Sequence, residues 1–157
     1  MSCILNIETS TNVCSVSLSQ DGVCLHEEVD LQGPSHAQVL AGFVKEVVSF
    51  ADSHAIPIDA VAVSKGPGSY TGLRIGVSEA KGVAYGRDAK LISVPTLKLL
   101  TVPVLLGHDE LPEDSLLCPM IDARRMEVYC AVYTRALKEV KATQALVVDE
   151  HSFNDLL

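Results

Sequence analysis

The sequence has 157 residues, contains no tryptophan, and is only 4% aromatic. Binding of single-stranded bases by stacking on aromatic side chains is therefore not expected. The formal net charge is −8, so the chain also lacks the basic face with which proteins neutralise nucleic-acid phosphates. The lack of aromatic side chains and of a basic face argues against nucleic-acid binding by this chain alone.

Several motifs of catalysis and metal binding are also missing. The histidines form neither HExxH nor HxxxH, and no serine lies within GxSxG, so neither a zinc site nor a hydrolase nucleophile is predicted. The glycine-rich segment fails the GxxxxGK[ST] motif because Leu73 stands where lysine belongs, and its glycines follow GxGxxxG rather than GxGxxG. We therefore assign no catalytic residue and no metal ligand.

The cysteines are odd in number and include no CxxC pair; they are Cys3, Cys14, Cys24, Cys118 and Cys130. Most lie in apolar, strand-like runs, which predicts buried free thiols in a reducing cytosol. The longest apolar stretch, residues 97–106, contains Pro103 and is shorter than the ~20 residues of a membrane-spanning helix. We expect a cytoplasmic protein without a membrane span.

Hydrophobic periodicity predicts an α/β fold in which a mixed sheet is covered by helices. Strands are predicted over residues 3–7, 13–19, 23–30, 60–64 and 90–94, with helices over 35–54 and from the glycine turn to about 84. Ser35 and Gln38 are spaced as a capping box at the start of the first helix. Residues 95–107 are weakly helical, because Pro103 is awkward inside a helix.

A second unit follows the acidic segment 108–115. Its predicted strands are residues 116–122, 126–134 and 145–148, and residues 151–157 resemble the first turns of a helix that stops in mid-element. We therefore predict an N-terminal subdomain, residues 1–107, and the start of a second, residues 108–157, that the chain leaves incomplete.

The most specific feature is the segment of residues 64–76. Glycines flank Pro67, so the turn needs backbone angles that a side chain would forbid, and it opens onto a helix N-terminus, where anions can bind. In the helix that follows, small residues recur every four positions, at Gly72, Gly76, Ala80 and Ala84. Glycine inside a helix costs roughly 1 kcal/mol relative to alanine, so we expect this row to pack tightly against a partner element.

Two polar turns could carry chemistry. The turn Glu8-Thr9-Ser10-Thr11 either holds a magnesium-bound phosphate or satisfies its own backbone with its hydroxyls. At a second turn, Asp122 either pairs with Arg124 or Arg125, or these arginines contact a partner or a phosphate.

Together these segments resemble the TsaB (YeaZ) family. The resemblance covers residues 4–134, in the order of the family: ILNIETST at residues 4–11, CSVSL at 14–18, Ser35-His36, GPGSYTGLRIG at 66–76 and MIDAR at 120–124. It implies an actin-like fold of the sugar-kinase type with two related subdomains. It also implies a non-catalytic subunit in threonylcarbamoylation of the tRNA adenosine next to the anticodon.

The implied partners are a TsaD-type paralogue that carries the chemistry, a TsaE-type ATPase, a second copy in isolation, and tRNA only through the complex. No cofactor is certain; ATP or ADP with magnesium at a partner interface is the candidate, with Glu8, Thr9, Thr11, Gly66 and Gly68 as its binding residues. Two departures from the family's relatives matter: Glu8 replaces the aspartate usual in actin-like phosphate loops, and of the paired histidines of TsaD only His36 is present.

The resemblance also gives the row of small residues a use. The partner interface is predicted on Gly72, Gly76, Ala80 and Ala84, with Val39 and Phe43 on the neighbouring helix. Two rival functions remain. The first is an actin-fold ATPase or kinase that uses Glu8, Thr9, Thr11 and the glycine turn, and the second is a glycoprotease-like peptidase.

Overall fold

The computed structural model describes residues 1–33 and 35–154. It divides into two compact units, Met1–Val94 and Pro95–Leu157. The boundary lies ahead of the predicted one, because the helix of residues 96–107 packs on the second sheet: its Leu97 is fully buried against Ala131 and Tyr133. In the described part of the chain, no helix has both the length and the apolar character that crossing a membrane requires.

The first unit is a five-stranded mixed sheet with two helices. Its elements are β1 (Cys3–Glu8), β2 (Cys14–Gln20), β3 (Val23–Asp30), α1 (His36–Ser53), β4 (Ala60–Ser64), α2 (Tyr70–Gly86) and β5 (Lys90–Val94). The strand order is β3-β2-β1-β4-β5. The meander β1-β2-β3 is antiparallel, whereas β4 runs parallel to both β1 and β5.

Alternation along the strands decides which face of this sheet is covered. In β1 and β2, every second residue is buried and the residues between them, such as Asn6 and Ser17, are half-buried. The buried side chains of both strands join those of α1 and α2 in one aliphatic core, which includes Leu5, Val16 and Leu40. The helices also contact each other, so they lie side by side on one face of the sheet.

The helix N-termini differ from the predicted capping. Ser35 precedes α1 but makes no side-chain capping bond; its hydroxyl donates instead to the carboxylate of Asp30. The predicted capping box is therefore wrong, because the Ser35 hydroxyl bonds the carboxylate at the end of β3 instead of the helix N-terminus. The second helix is capped by Ser69, whose Oγ accepts the Gly72 N–H at 3.2 Å.

The second unit contains α3 (Thr96–Gly107), β6 (Leu116–Leu117), β7 (Met120–Arg124), β8 (Glu127–Thr134) and β9 (Glu139–Leu146). Each of the other three strands pairs antiparallel with β8. The predicted strand 116–122 is split into β6 and β7 on either side of Pro119, which has no N–H to donate. Residues 151–154 form turns rather than the predicted start of a helix, and residues 155–157 lie outside the described part.

All five cysteines are free thiols, as the sequence predicts. Cys3, Cys14 and Cys130 are buried, whereas Cys24 and Cys118 are exposed. The prediction of burial is therefore wrong for these two, because an apolar run does not reveal which of its faces is covered.

Candidate functional site

The two loops that the sequence singles out lie against each other in the first unit. They follow β1 and β4, which are adjacent parallel strands, so both loops emerge at the same edge of the sheet. The Ser69 N–H donates to the Ser10 carbonyl oxygen at 2.6 Å, and a Cβ on Gly68 would lie 2.3 Å from that oxygen. We call residues 8–11 and 64–69 the loop junction.

Glu8 ties the loop junction together. One of its carboxylate oxygens accepts the Ser10 N–H at 2.6 Å, and the other accepts the hydroxyl of Ser64. These bonds join the ends of β1 and β4, with both carboxylate oxygens engaged inside the unit. Nowhere in residues 1–33 and 35–154 do three or more His, Cys, Asp or Glu side chains group as a metal site would require.

The other residues predicted to bind a cofactor differ in exposure. Thr9 is fully buried, and its Oγ1 has no hydrogen-bond partner. Thr11 is exposed, and its Oγ1 accepts the Val13 N–H at 3.2 Å. Gly66 has φ +102°, an angle that favours glycine. The loops thus bring the predicted residues to one place, and cofactor binding by them stays a prediction.

The row of small residues on α2 faces the interior of the first unit. Gly72, Gly76, Ala80 and Ala84 are all buried. A Cβ on Gly72 would lie 2.2 Å from the Thr9 carbonyl oxygen, and one on Gly76 would lie 2.1 Å from Thr9 Oγ1. The close packing is confirmed, but its neighbours belong to the same chain: the turn after β1 contacts Gly72 and Gly76, and the hydrophobic core encloses Ala80 and Ala84. The row as a partner interface is therefore wrong.

The two predicted interface residues of α1 also have neighbours inside the unit. Val39 and Phe43 are half-buried and pack against the hydrophobic core. They therefore contribute to the fold of the isolated chain, whatever part of their surface stays accessible.

His36 is a structural residue of this region that the sequence did not reveal. It is 5% exposed, and its Nε2 lies 2.8 Å from the Thr11 carbonyl oxygen, so this nitrogen carries the proton and donates. A Cβ on Gly72 would lie 2.8 Å from the His36 ring. The missing side chain at Gly72 was the one available signal, because it leaves room for a ring from the first turn of α1.

The exposed surface of α1 and α2 also carries small residues, and these differ from the buried row on α2. Gly42 on α1 and Gly82 and Gly86 on α2 are exposed, with no atom within 4 Å of an added Cβ. An open groove of about 330 Å³ runs between the helices, lined by Ala41, Val44, Lys45, Val48, Glu79, Val83, Gly86 and Arg87. We call this surface the outer helix face. Its exposed glycines carry no side chain, so another helix can approach closely at those positions.

Two exposed tyrosines belong to the same helix, α2. Tyr70 and Tyr85, at the two ends of α2, are 74% and 92% exposed. The Arg74 guanidinium stacks over the Tyr70 ring at 5.4 Å and donates to its hydroxyl at 3.2 Å. Exposed tyrosine and arginine side chains are enriched in protein interfaces.

A bidentate ion pair joins the C-terminal ends of the two helices. The two terminal guanidinium nitrogens of Arg87, Nη1 and Nη2, each donate to the Asp52 carboxylate at 2.6 Å. These hydrogen bonds hold the pKa of Asp52 below its usual value and raise that of Arg87. The pair links the two helices at one end of the groove.

A protein-family model described as TsaD, tRNA N6-adenosine threonylcarbamoyltransferase, matches residues 30–152. The chain belongs to this family. Within it, the chain is 35% identical over 132 residues to the tRNA threonylcarbamoyladenosine biosynthesis protein TsaB of Escherichia coli K12, and 32% identical over 130 residues to TsaB of Bacillus subtilis 168. These alignments cover 84% and 83% of this chain but 55% and 54% of the relatives, so the chain spans about half their length. They confirm the TsaB (YeaZ) resemblance.

Solved structures confirm the actin-like α/β fold. YeaZ from Pseudomonas aeruginosa superposes with a TM-score of 0.76 at 28% identity, over 96% of this chain and 70% of that one. An Aquifex aeolicus Ppx/GppA phosphatase gives 0.50 at 10% identity, over 99% and 55%. The second likeness concerns the fold alone.

Proposed function

We propose that this TsaD-family chain is a non-catalytic subunit that binds and activates a TsaD-type transferase. The reaction served is threonylcarbamoylation of the tRNA adenosine next to the anticodon. The names of the TsaB relatives and of the family model support a role in this modification. The observation that carries the subunit role is the outer helix face, which combines exposed glycines with an open groove, on helices that also expose two tyrosines.

The outer helix face suits a helix pair as its occupant. Close helix–helix contact needs small residues at the crossing point, and Ala41, Gly42, Gly82 and Gly86 supply them. Lys45 and Glu79 border the groove, so the surface offers both signs of charge to a matching helix pair. A TsaD-type paralogue, with related helices, is the partner we propose; a second copy of this chain takes its place in isolation.

The rest of the assembly follows from the same proposal. A TsaE-type ATPase joins the pair, and ATP or ADP with magnesium binds at a partner interface. The tRNA is held by the complex rather than by this acidic chain alone, since its net charge is −8. The free thiols suit the reducing cytoplasm.

A second candidate is an actin-fold ATPase or kinase. The observation that favours it is the loop junction, where the Oγ atoms of Thr9 and Ser10 are buried without hydrogen-bond partners beside the N-terminus of α2. Magnesium-dependent ATP binding by the isolated chain, abolished by Glu8→Ala, would favour this candidate. ATP binding that needs the TsaD-type partner would favour the subunit.

A reconstituted modification assay tests the proposal. The TsaD-type transferase, the TsaE-type ATPase, threonylcarbamoyl-adenylate and tRNA are mixed with and without this protein at full length. We expect threonylcarbamoyladenosine to form only when this protein is present, and to saturate at one copy per transferase. Equal product without it would reject the proposal.

A further inference from the structure

The hairpin that joins β7 to β8 carries two arginines on an unusual backbone. Arg124, Arg125 and Met126 have φ angles of +67°, +54° and +67°. A two-residue hairpin loop needs positive φ at both central residues and usually places Asn-Gly or Asp-Gly there. In this hairpin the two central residues are Arg125 and Met126. Arg124, which follows a register shift in β7, is a third residue with positive φ. Three bulky side chains thus occupy backbone conformations that are unfavourable for residues other than glycine.

The turn is held without neutralising its charges. Asp122 Oδ1 accepts the Arg124 backbone N–H at 2.8 Å, so its carboxylate supports the backbone. Within the part of the chain that the structure describes, neither guanidinium forms an ion pair or a hydrogen bond. Both arginines are exposed, as is Met126 at 88%. Glu127 stands opposite Arg124 in the hairpin register but forms no ion pair with it. The tip of residues 122–126 therefore presents two guanidiniums that have no ion-pair partner among the described residues.

We propose that this tip contacts the phosphate backbone of RNA when the complex holds its tRNA, an inference that rests on the proposed function. Guanidinium groups match phosphate oxygens with a rigid fork of donors. A protruding turn can reach a phosphodiester backbone, which offers anions in a row and accepts many angles of approach. A protein partner that offered a single carboxylate would instead need a binding site shaped around the tip.

The charge of the whole chain defines how such a contact works. The chain has 20 acidic residues against 12 lysines and arginines, so its net charge repels RNA and contact depends on exposed positive groups such as those of the tip. Two phosphate contacts give weak binding alone, because each contributes only about 0.9 to the slope of log affinity against log salt. The tip thus orients RNA that a partner already holds.

The test measures tRNA binding by the assembled pair of this protein and its TsaD-type partner. Fluorescence anisotropy of labelled tRNA is followed over a salt series with three forms: the wild type, Arg124→Ala/Arg125→Ala, and Lys90→Ala/Lys138→Ala. Both variants remove two exposed positive charges, so net charge changes equally. We expect the arginine variant alone to bind more weakly and to lower the salt slope by about two. Restoring charge with Arg124→Lys/Arg125→Lys should recover most of the slope.

Three results would overturn the inference. In the first, the arginine variant binds tRNA as tightly as the wild type. In the second, both variants weaken tRNA binding equally. In the third, the arginine variant no longer binds the transferase, which would make the tip a protein contact. Light scattering of each mixture separates these from failure of the proposed function. If the wild type does not associate with the transferase, the proposed function fails. The tip is then judged on the isolated chain at low salt, by the same comparison of variants.

Discussion

At the residue scale, the central finding is that the row of small residues on α2 faces the interior of the first unit. A spacing of four shows that Gly72, Gly76, Ala80 and Ala84 share one helix face, and the cost of helical glycine shows that this face packs closely. Neither fact identifies the neighbour. For the two glycines that neighbour is Thr9, in the turn after β1, which the pairing of β1 with β4 brings to α2; the two alanines pack in the hydrophobic core. The sequence therefore predicted the contact but assigned it to another chain.

Two glycines of the same helix should respond oppositely to alanine. In Gly76→Ala the new Cβ would lie 2.1 Å from Thr9 Oγ1, and such overpacking costs about 1–3 kcal/mol. Gly82→Ala meets no atom within 4 Å and should gain up to about 1 kcal/mol of helix propensity. Urea unfolding of both variants measures this. An equal rise in stability for both would show that α2 does not face the turn after β1.

At the element scale, strands and helices with clear periodicity were predicted well, and polar elements were not. The first-unit elements β3, β4 and β5 have the predicted bounds. In contrast, β9 spans Glu139–Leu146, whereas the sequence suggested only 145–148. Most of β9 is exposed, so its residues need no apolar alternation, and its place comes from pairing with β8. Tertiary pairing of this kind is not encoded in a local pattern.

The ion pair between the ends of α1 and α2 should make stability depend on pH. Hydrogen bonds from Arg87 lower the pKa of Asp52. A folded-state pKa below the unfolded one stabilises the protein above the unfolded pKa, about 3.9, and this contribution is lost as the pH falls through the folded pKa. Asp52→Asn should therefore lower the Tm at pH 7, and the gap to the wild type should narrow toward pH 3.

Glu46→Gln is the matched control for this change. Glu46 is an exposed carboxylate of the same helix and forms no ion pair with any described residue. Its Tm difference from the wild type should vary less between pH 7 and pH 3. A gap for Asp52→Asn that stays constant over that range would show that the ion pair does not hold the helices.

At the scale of the whole molecule, the sequence predicted the family and the fold class. The match to the TsaD-family model, the TsaB relatives and the YeaZ structure confirm both. Hydrophobic periodicity alone would have reached only an α/β protein, because the long glycine segment supplies most of the specificity. The exposed glycines on the outer helix face were not predicted, since a sequence shows small residues but not which of them are left uncovered.

The most direct test of the account is light scattering on a sizing column with Gly82→Trp, alone and mixed with the TsaD-type partner. The wild type should form a homodimer that the partner converts to a one-to-one heterodimer. Gly82→Trp should keep its fold, because nothing lies within 4 Å of the added Cβ, yet remain monomeric and fail to bind the partner. Gly82→Ala, which adds little bulk, should associate as the wild type does. A heterodimer formed by Gly82→Trp would contradict the assignment of the interface to the outer helix face.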